Sequence, residues 1–257
     1  MRRWLPRRLR HGEEATLVEH LDELRSRLIV SLAALVPAFA VAFYFHEEVI
    51  EWLTGPLPGD KRLVTLGVTE PFTTSVMVSL VVAIGLVLPV LLWQVWGFLA
   101  PAVSPHFERV ALLFVALATG LFACGVAFMY YVVLPRALDF LTSYDEELYD
   151  IQIRASYYYN FVALLLLGGG LAFLLPIFVL ALVRLRVLTS ARLRQNRRYA
   201  FVILLVFAAL LPTVDPVSLA FEIVPLMLLF ELSIWMAVLL ERRWQPTWDA
   251  EAAELEG

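Results

Sequence analysis

The chain has 257 residues, 61% of them hydrophobic and 17% charged, with a formal net charge of −4 and a mean hydropathy of +0.77. Soluble domains run about 45–50% apolar and about 25% charged, so this composition cannot coat a water-facing surface and excludes an ordinary soluble domain. The small net charge points to no particular partner, and no nucleic acid is expected. The single Cys124 lies inside an apolar run; it excludes an intramolecular disulfide and reads as a small packing residue.

The basic N-terminus MRRWLPRRLR resembles the first region of a signal peptide. The first long apolar run begins only at Leu28 and lacks a small-residue cleavage pattern, so it reads as a retained span. Just before it, Thr16 and Glu19 have capping-box spacing and start a helix. Leu17, Leu21, Leu24 and Leu28 then form one apolar stripe, with Glu19, Glu23 and Arg27 on the polar side and His20 nearby. Taken alone, Glu23 and Arg27 are an i,i+4 ion pair of the kind common on exposed helices.

Charge-free runs from Pro71 to Phe107 and from Val110 to Pro135 are each long enough for a span of roughly 20 residues. The predicted fold is all-α, a polytopic membrane protein of six transmembrane helices, at 28–45, 75–93, 110–133, 158–183, 199–211 and 218–240. Residues 1–27 form a cytoplasmic segment with an amphipathic helix, and 241–257 a cytoplasmic tail expected to be disordered. Pro37, Pro89, Pro176 and Pro225 fall inside spans. They predict a curved bundle of kinked helices in which neighbouring groups restore the lost backbone pairing.

With the N-terminus inside, sixteen of the twenty basic residues face the cytoplasm, and only Lys61, Arg62, Arg136 and Arg154 lie outside. By the positive-inside rule both termini are cytoplasmic. The fifth run, Tyr199 to Pro212, rises only about 21 Å at about 1.5 Å per residue, against a hydrocarbon core of about 30 Å. Such a hairpin stops short of the outer surface or thins the bilayer there. The acids of the outer loops, Glu47, Glu48, Glu51, Asp60, Glu70, Asp139, Asp145, Glu146, Glu147 and Asp150, read as solvated faces.

His20-Leu21-Asp22-Glu23-Leu24-Arg25-Ser26-Arg27-Leu28 closely resembles the N-terminal motif of the twin-arginine translocase C subunit family. Further resemblances follow in that family's order. They are Gly55-Pro56-Leu57, Thr69-Glu70-Pro71-Phe72, Gln94 to Pro101 followed by Glu108-Arg109, then Asp215 and Phe230-Glu231. Together they cover about Thr16 to Arg243. The resemblance implies a core receptor in the cytoplasmic membrane of a prokaryote, exporting folded proteins whose signal peptides carry paired arginines, driven by the proton motive force. It implies signal-peptide binding by Glu23 and Glu108, with Leu21, Arg25 and Phe98 beside them. Structural or partner-contact roles fall to Pro56, Glu70, Pro71, Phe72, Asp215 and Glu231. The implied partners are twin-arginine signal peptides, the small single-span subunits A and B, further copies of itself and membrane lipid. A planar, permanently charged guanidinium suits paired hydrogen bonds to carboxylate oxygens better than lysine does.

The sequence departs from the family where a fourth-span glutamate often precedes a proline, reading Phe173-Leu174-Leu175-Pro176 instead; Val110 replaces a second loop arginine. Glu222, a carboxylate within the sixth span, is expected to take over as the polar group of the membrane concavity and to contact a partner helix, since intramembrane charge marks function by default. Neither a nucleotide-binding loop, nor a metal-ligand cluster, nor a nucleophile–base pair is visible, and His11, His20, His46 and His106 are scattered. No enzyme activity, cofactor or metal is expected. A competing class is a proton- or ion-coupled transporter of small solutes with Asp215 and Glu222 as coupling sites, although no inverted repeat is visible.

Overall fold

The structure is a computed structural model that describes residues 17–59, 62–99, 108–144, 148, 151–184, 187–211 and 216–256. It is almost entirely helical. Among the described residues, five helical stretches are long and apolar enough to cross a membrane: Leu21–Tyr44, Glu70–Gly97, Leu112–Ser143, Ala155–Arg184 and Val217–Glu241. The run expected as the fifth of six spans is a 14-residue helix, Arg197–Leu210, shorter than these five.

The chain divides into two compact units, one of residues 1–120 and 145–167, the other of 121–144 and 168–257. In the first unit, α1 (Leu17–Tyr44) is one unbroken helix. It joins the amphipathic segment and the first span that the sequence reading kept apart at Leu28. No glycine occurs in it, and its one proline, Pro37, lies far from that boundary, so nothing there interrupts the backbone. The stripe of Leu21, Leu24 and Leu28 is exposed, while α1 packs along α3 (Glu70–Leu99). A long apolar helix whose large hydrophobic residues face outward suits a lipid surrounding, where water would select against them.

Between these helices, α2 (His46–Thr54) also packs on α3. The half-buried Pro56 follows in a turn closed by Leu57 N donating to Thr54 O at 2.9 Å. Two short strands, β1 (Leu63–Val64) and β2 (Ile153–Arg154), pair in parallel, with Leu63 opposite Ile153 and Val64 opposite Arg154. Hydroxyls fasten the start of the following helix to α2: Tyr158 Oη donates to Leu53 O at 2.7 Å, and Tyr159 Oη lies 2.8 Å from Thr54 Oγ1.

Glu70 organises this end of the unit. It was expected to be a solvated loop acid, yet it is only 5% exposed. Its Oε2 accepts from the backbone N–H of Leu66 and Gly67 at 3.0 and 3.2 Å. Its Oε1 accepts from Arg154 Nε at 3.0 Å and Ser156 N at 3.1 Å. One carboxylate thus ties the start of α3 to the β2 segment 84 residues away, and it holds the Arg154 guanidinium above its ordinary pKa range. An acid can be buried when four donors replace its water. Replacing Glu70 with Ala leaves those donors without acceptors; hydrogen exchange at Ser156 and Leu66 is expected to accelerate while α1 is unaffected, and unchanged protection there would contradict the assignment.

The chain of α4 (Glu108–Phe128) passes through a π-helical turn, Met129–Val133, into α5 (Leu134–Ser143). The span therefore runs on past 133, where the sequence reading ended it. Pro135 sits in the first turn of α5, directly after the widened π turn, where a residue without an N–H interrupts the helical ladder. The fourth span is split into α6 (Ala155–Ala172) and α7 (Leu175–Arg184). At the break Leu174 N bonds to Leu171 O, a tighter turn than α, just before Pro176. After α8 (Ser190–Gln195) come α9 (Arg197–Leu210) and α10 (Pro216–Glu256). The continuation of α10 to Glu256 differs from the disordered tail expected after 240; that stretch is rich in Glu and Ala, both strong helix formers. A core of Val179, Val183, Leu204, Leu226, Phe230 and Ile234 joins α7, α9 and α10.

Candidate functional site

The motif of Glu23 and Arg27 sits on the inner face of α1, against the C-terminal end of α3. The two side chains do form the i,i+4 pair read from the sequence, but it is not a solvated one: Glu23 is 11% and Arg27 22% exposed. Arg27 Nε donates to Glu23 Oε1 at 3.2 Å and its Nη2 donates to the same oxygen. The guanidinium then crosses to α3, where Nη2 donates to Gly97 O at 2.7 Å and Nη1 to Gln94 O at 3.3 Å. Gly97 lies in the last turn of α3, where carbonyls lack a helical donor and the helix dipole favours a cation. The second carboxylate oxygen of Glu23, Oε2, is buried and meets no donor among the described residues.

Leu21 and Arg25, predicted beside Glu23, are both exposed on α1. Glu108 opens α4 and Phe98 lies in the last turn of α3; both belong to the same unit as Glu23, and their side chains lie outside the described part. Pro71 follows Glu70 at the start of α3, exposed, and Phe72 is 65% exposed. Asp215 lies outside the described residues.

Glu231 and Glu222 separate. The Glu231 carboxylate accepts from Arg197 Nη2 at 2.7 Å, a partly exposed ion pair joining α10 to α9. Glu222 is 0% exposed. Within this chain α10 turns Glu222 inward, because Leu226 and Phe230, four and eight residues on, face the core on the same side. Sequence reasoning missed Gly97 and Arg154, which are recognisable only once the chain has folded, and gave Arg27 no partner beyond its own helix. Among the described residues, no group of three or more His, Cys, Asp and Glu could hold a metal ion.

Apolar helices with outward-facing hydrophobic surfaces and a buried polar cluster at one end define a multi-pass α-helical membrane protein. The family described as Sec-independent protein translocase protein (TatC) matches residues 19–225. The chain is 35% identical to the TatC protein of Helicobacter pylori over 221 residues, covering 86% of this chain and 88% of that one. It is 36% identical to TatC of Aquifex aeolicus over 235 residues, covering 88% and 96%. A crystal structure of the twin arginine translocase receptor TatC in DDM superposes with a TM-score of 0.77 at 34% identity, covering 85% of this chain and 99% of that one. This chain belongs to the TatC family of Sec-independent protein translocases. That membership favours protein transport over the small-solute transporter reading.

Proposed function

We propose that this chain is the receptor subunit of a twin-arginine translocation system in a prokaryotic cytoplasmic membrane, binding the paired arginines of a signal peptide through Glu23 and Glu108. The observation that carries the reading is the Glu23 carboxylate, nearly buried and tethered through Oε1, whose buried Oε2 has no donor among the described residues and so lacks the partner that a cargo guanidinium would supply. A guanidinium is the side-chain cation best shaped for such an acceptor, being planar, always charged and less strongly hydrated than an ammonium. Glu108, at the start of α4 in the same unit, supplies the second carboxylate, and Leu21, Arg25 and Phe98 line the approach.

In this reading the chain crosses the membrane six times with both ends in the cytoplasm. The 14-residue α9 is the short fifth span, and sixteen of the twenty basic residues then lie inside. The single-span subunits A and B and further copies of the chain complete the translocase, which the proton gradient drives. Pro56, Pro71, Phe72 and Asp215 serve structure or partner contact.

Photoreactive residues at positions 23 and 108 of the full chain in membranes test the reading. A twin-arginine signal peptide labels both positions, and a peptide carrying two lysines labels them poorly. Equal labelling by the two peptides would remove the receptor assignment.

A further inference from the structure

We infer that Arg27, seated on Gly97, is a positioning residue for the cargo site: it fixes the Glu23 carboxylate by one oxygen and leaves the other, covered in the free chain and without a donor among the described residues, to be uncovered and met by an external guanidinium. The inference rests on the receptor reading above and names how that site selects arginine over lysine.

An arginine and a carboxylate usually meet fork to fork, two N–H groups on two oxygens. Here Nε and Nη2 of Arg27 both address Oε1 of Glu23. The reason lies on α3. Nη1 and Nη2 are also committed to the carbonyls of Gln94 and Gly97, and no N–H of Arg27 reaches Oε2. One arginine therefore satisfies three acceptors on two helices. Only a five-donor fork can do so; a lysine has a single nitrogen to share among them.

Gly97 makes this seat possible. A Cβ built at position 97 would collide with Arg27 Nη1, with Cζ at 3.0 Å and Nη2 at 3.1 Å. Any other residue there would push the guanidinium off the α3 carbonyls. Gly97 thus controls the orientation of an acid on a different helix.

The arrangement also selects its ligand. An incoming cation must approach Oε2 with the positive charge of Arg27 close by, and like charges repel. Direct hydrogen bonds from a delocalised, weakly hydrated guanidinium offset that repulsion better than an ammonium that keeps its water. Arg27 therefore raises the demand for arginine by its charge while holding the acceptor in place.

The test uses the full-length chain in native membranes and two fluorescent signal peptides that differ only in having paired arginines or paired lysines. The wild type and Glu23→Gln come first: if the wild type does not prefer the arginine peptide, or if Glu23→Gln leaves that preference intact, the receptor reading fails and the inference falls with it. Where that reading holds, Arg27→Gln and Gly97→Ala are each expected to weaken the arginine peptide by about tenfold or more. Lysine-peptide binding changes little, so the selectivity ratio collapses toward one. Arg27→Lys falls in between, and the Arg27→Gln/Gly97→Ala double variant is no worse than either single one, because both break the same device. A wild-type ratio in Arg27→Gln or Gly97→Ala overturns the inference, and so does parallel loss of both peptides, the mark of a merely structural role. If Arg27→Gln does not accumulate, Gly97→Ala decides, since it alters no charge.

Discussion

Replacing Glu23 with Gln is expected to lower the affinity of the full chain for a twin-arginine peptide by about 10- to 100-fold. A hydrogen bond to a charged group contributes about 1.5–3 kcal/mol, and about 1.4 kcal/mol is a factor of ten. The amide matches the carboxylate in size but loses both the charge and one of the two acceptor oxygens. At position 23 the remaining acceptor is claimed by Arg27, which donates to Oε1 through Nε and Nη2. The amide NH2 then stands where Oε2 stood and points a donor at the incoming donor. Titration of a labelled peptide onto membranes containing the variant measures the effect. Helix content should be unchanged, because Arg27 keeps the carbonyls of Gln94 and Gly97 as anchors.

The second large effect lies in the other unit, where Gly125→Leu is expected to prevent accumulation of folded protein. Gly125 faces the break between α6 and α7. A Cβ there would lie 2.8 Å from Phe173 Cβ and 3.0 Å from the Cα of Gly170. Gly170 is itself tight, since a Cβ on it would lie 2.7 Å from Phe122 Cε2 and 2.8 Å from Val126 Cγ2. At Gly125 the contacts are the first two side-chain atoms of Phe173, held close to its backbone, and a backbone Cα, so neither can swing clear. Even Gly125→Ala forces the helices apart, an overpacking cost of about 1–3 kcal/mol, and leucine adds three further carbons to the same contact. Thermal unfolding in detergent should show a lowered midpoint for the alanine variant and little monodisperse protein for the leucine variant. Gly120→Ala is the control: a Cβ there meets nothing within 4 Å, and a helical Gly-to-Ala change should be neutral or mildly stabilising. Equal behaviour at positions 120 and 125 would contradict this account of the packing.

What could be read from the sequence, and what could not, follows from the range of each interaction. The apolar runs were legible because a span is a local property of about 20 residues, and five of them reappear as helices of spanning length. Their ends were less legible. Nothing in the sequence between Leu17 and Leu28 stops a helix, so α1 starts before the run that defined the first span. The Glu23–Arg27 pair was visible at i,i+4 spacing, but its burial was not, because burial comes from Gln94 and Gly97, 67 and 70 residues further on. Glu70 shows the same limit. In the sequence it is one of several acids near a loop; in the fold it gathers donors from Leu66, Gly67, Arg154 and Ser156. Glu222 was legible as an acid inside an apolar run, but helix rotation decides which way such a group faces, and within this chain it faces the core.

The most direct measurement neutralises both proposed acids at once. With Glu23→Gln and Glu108→Gln combined in the full chain, a twin-arginine leader should no longer dock, and a folded reporter carrying that leader should remain in the cytoplasm of cells that have no other C subunit. Docking and export at wild-type levels in that double variant would contradict the claim that two carboxylates hold two cargo guanidinium groups.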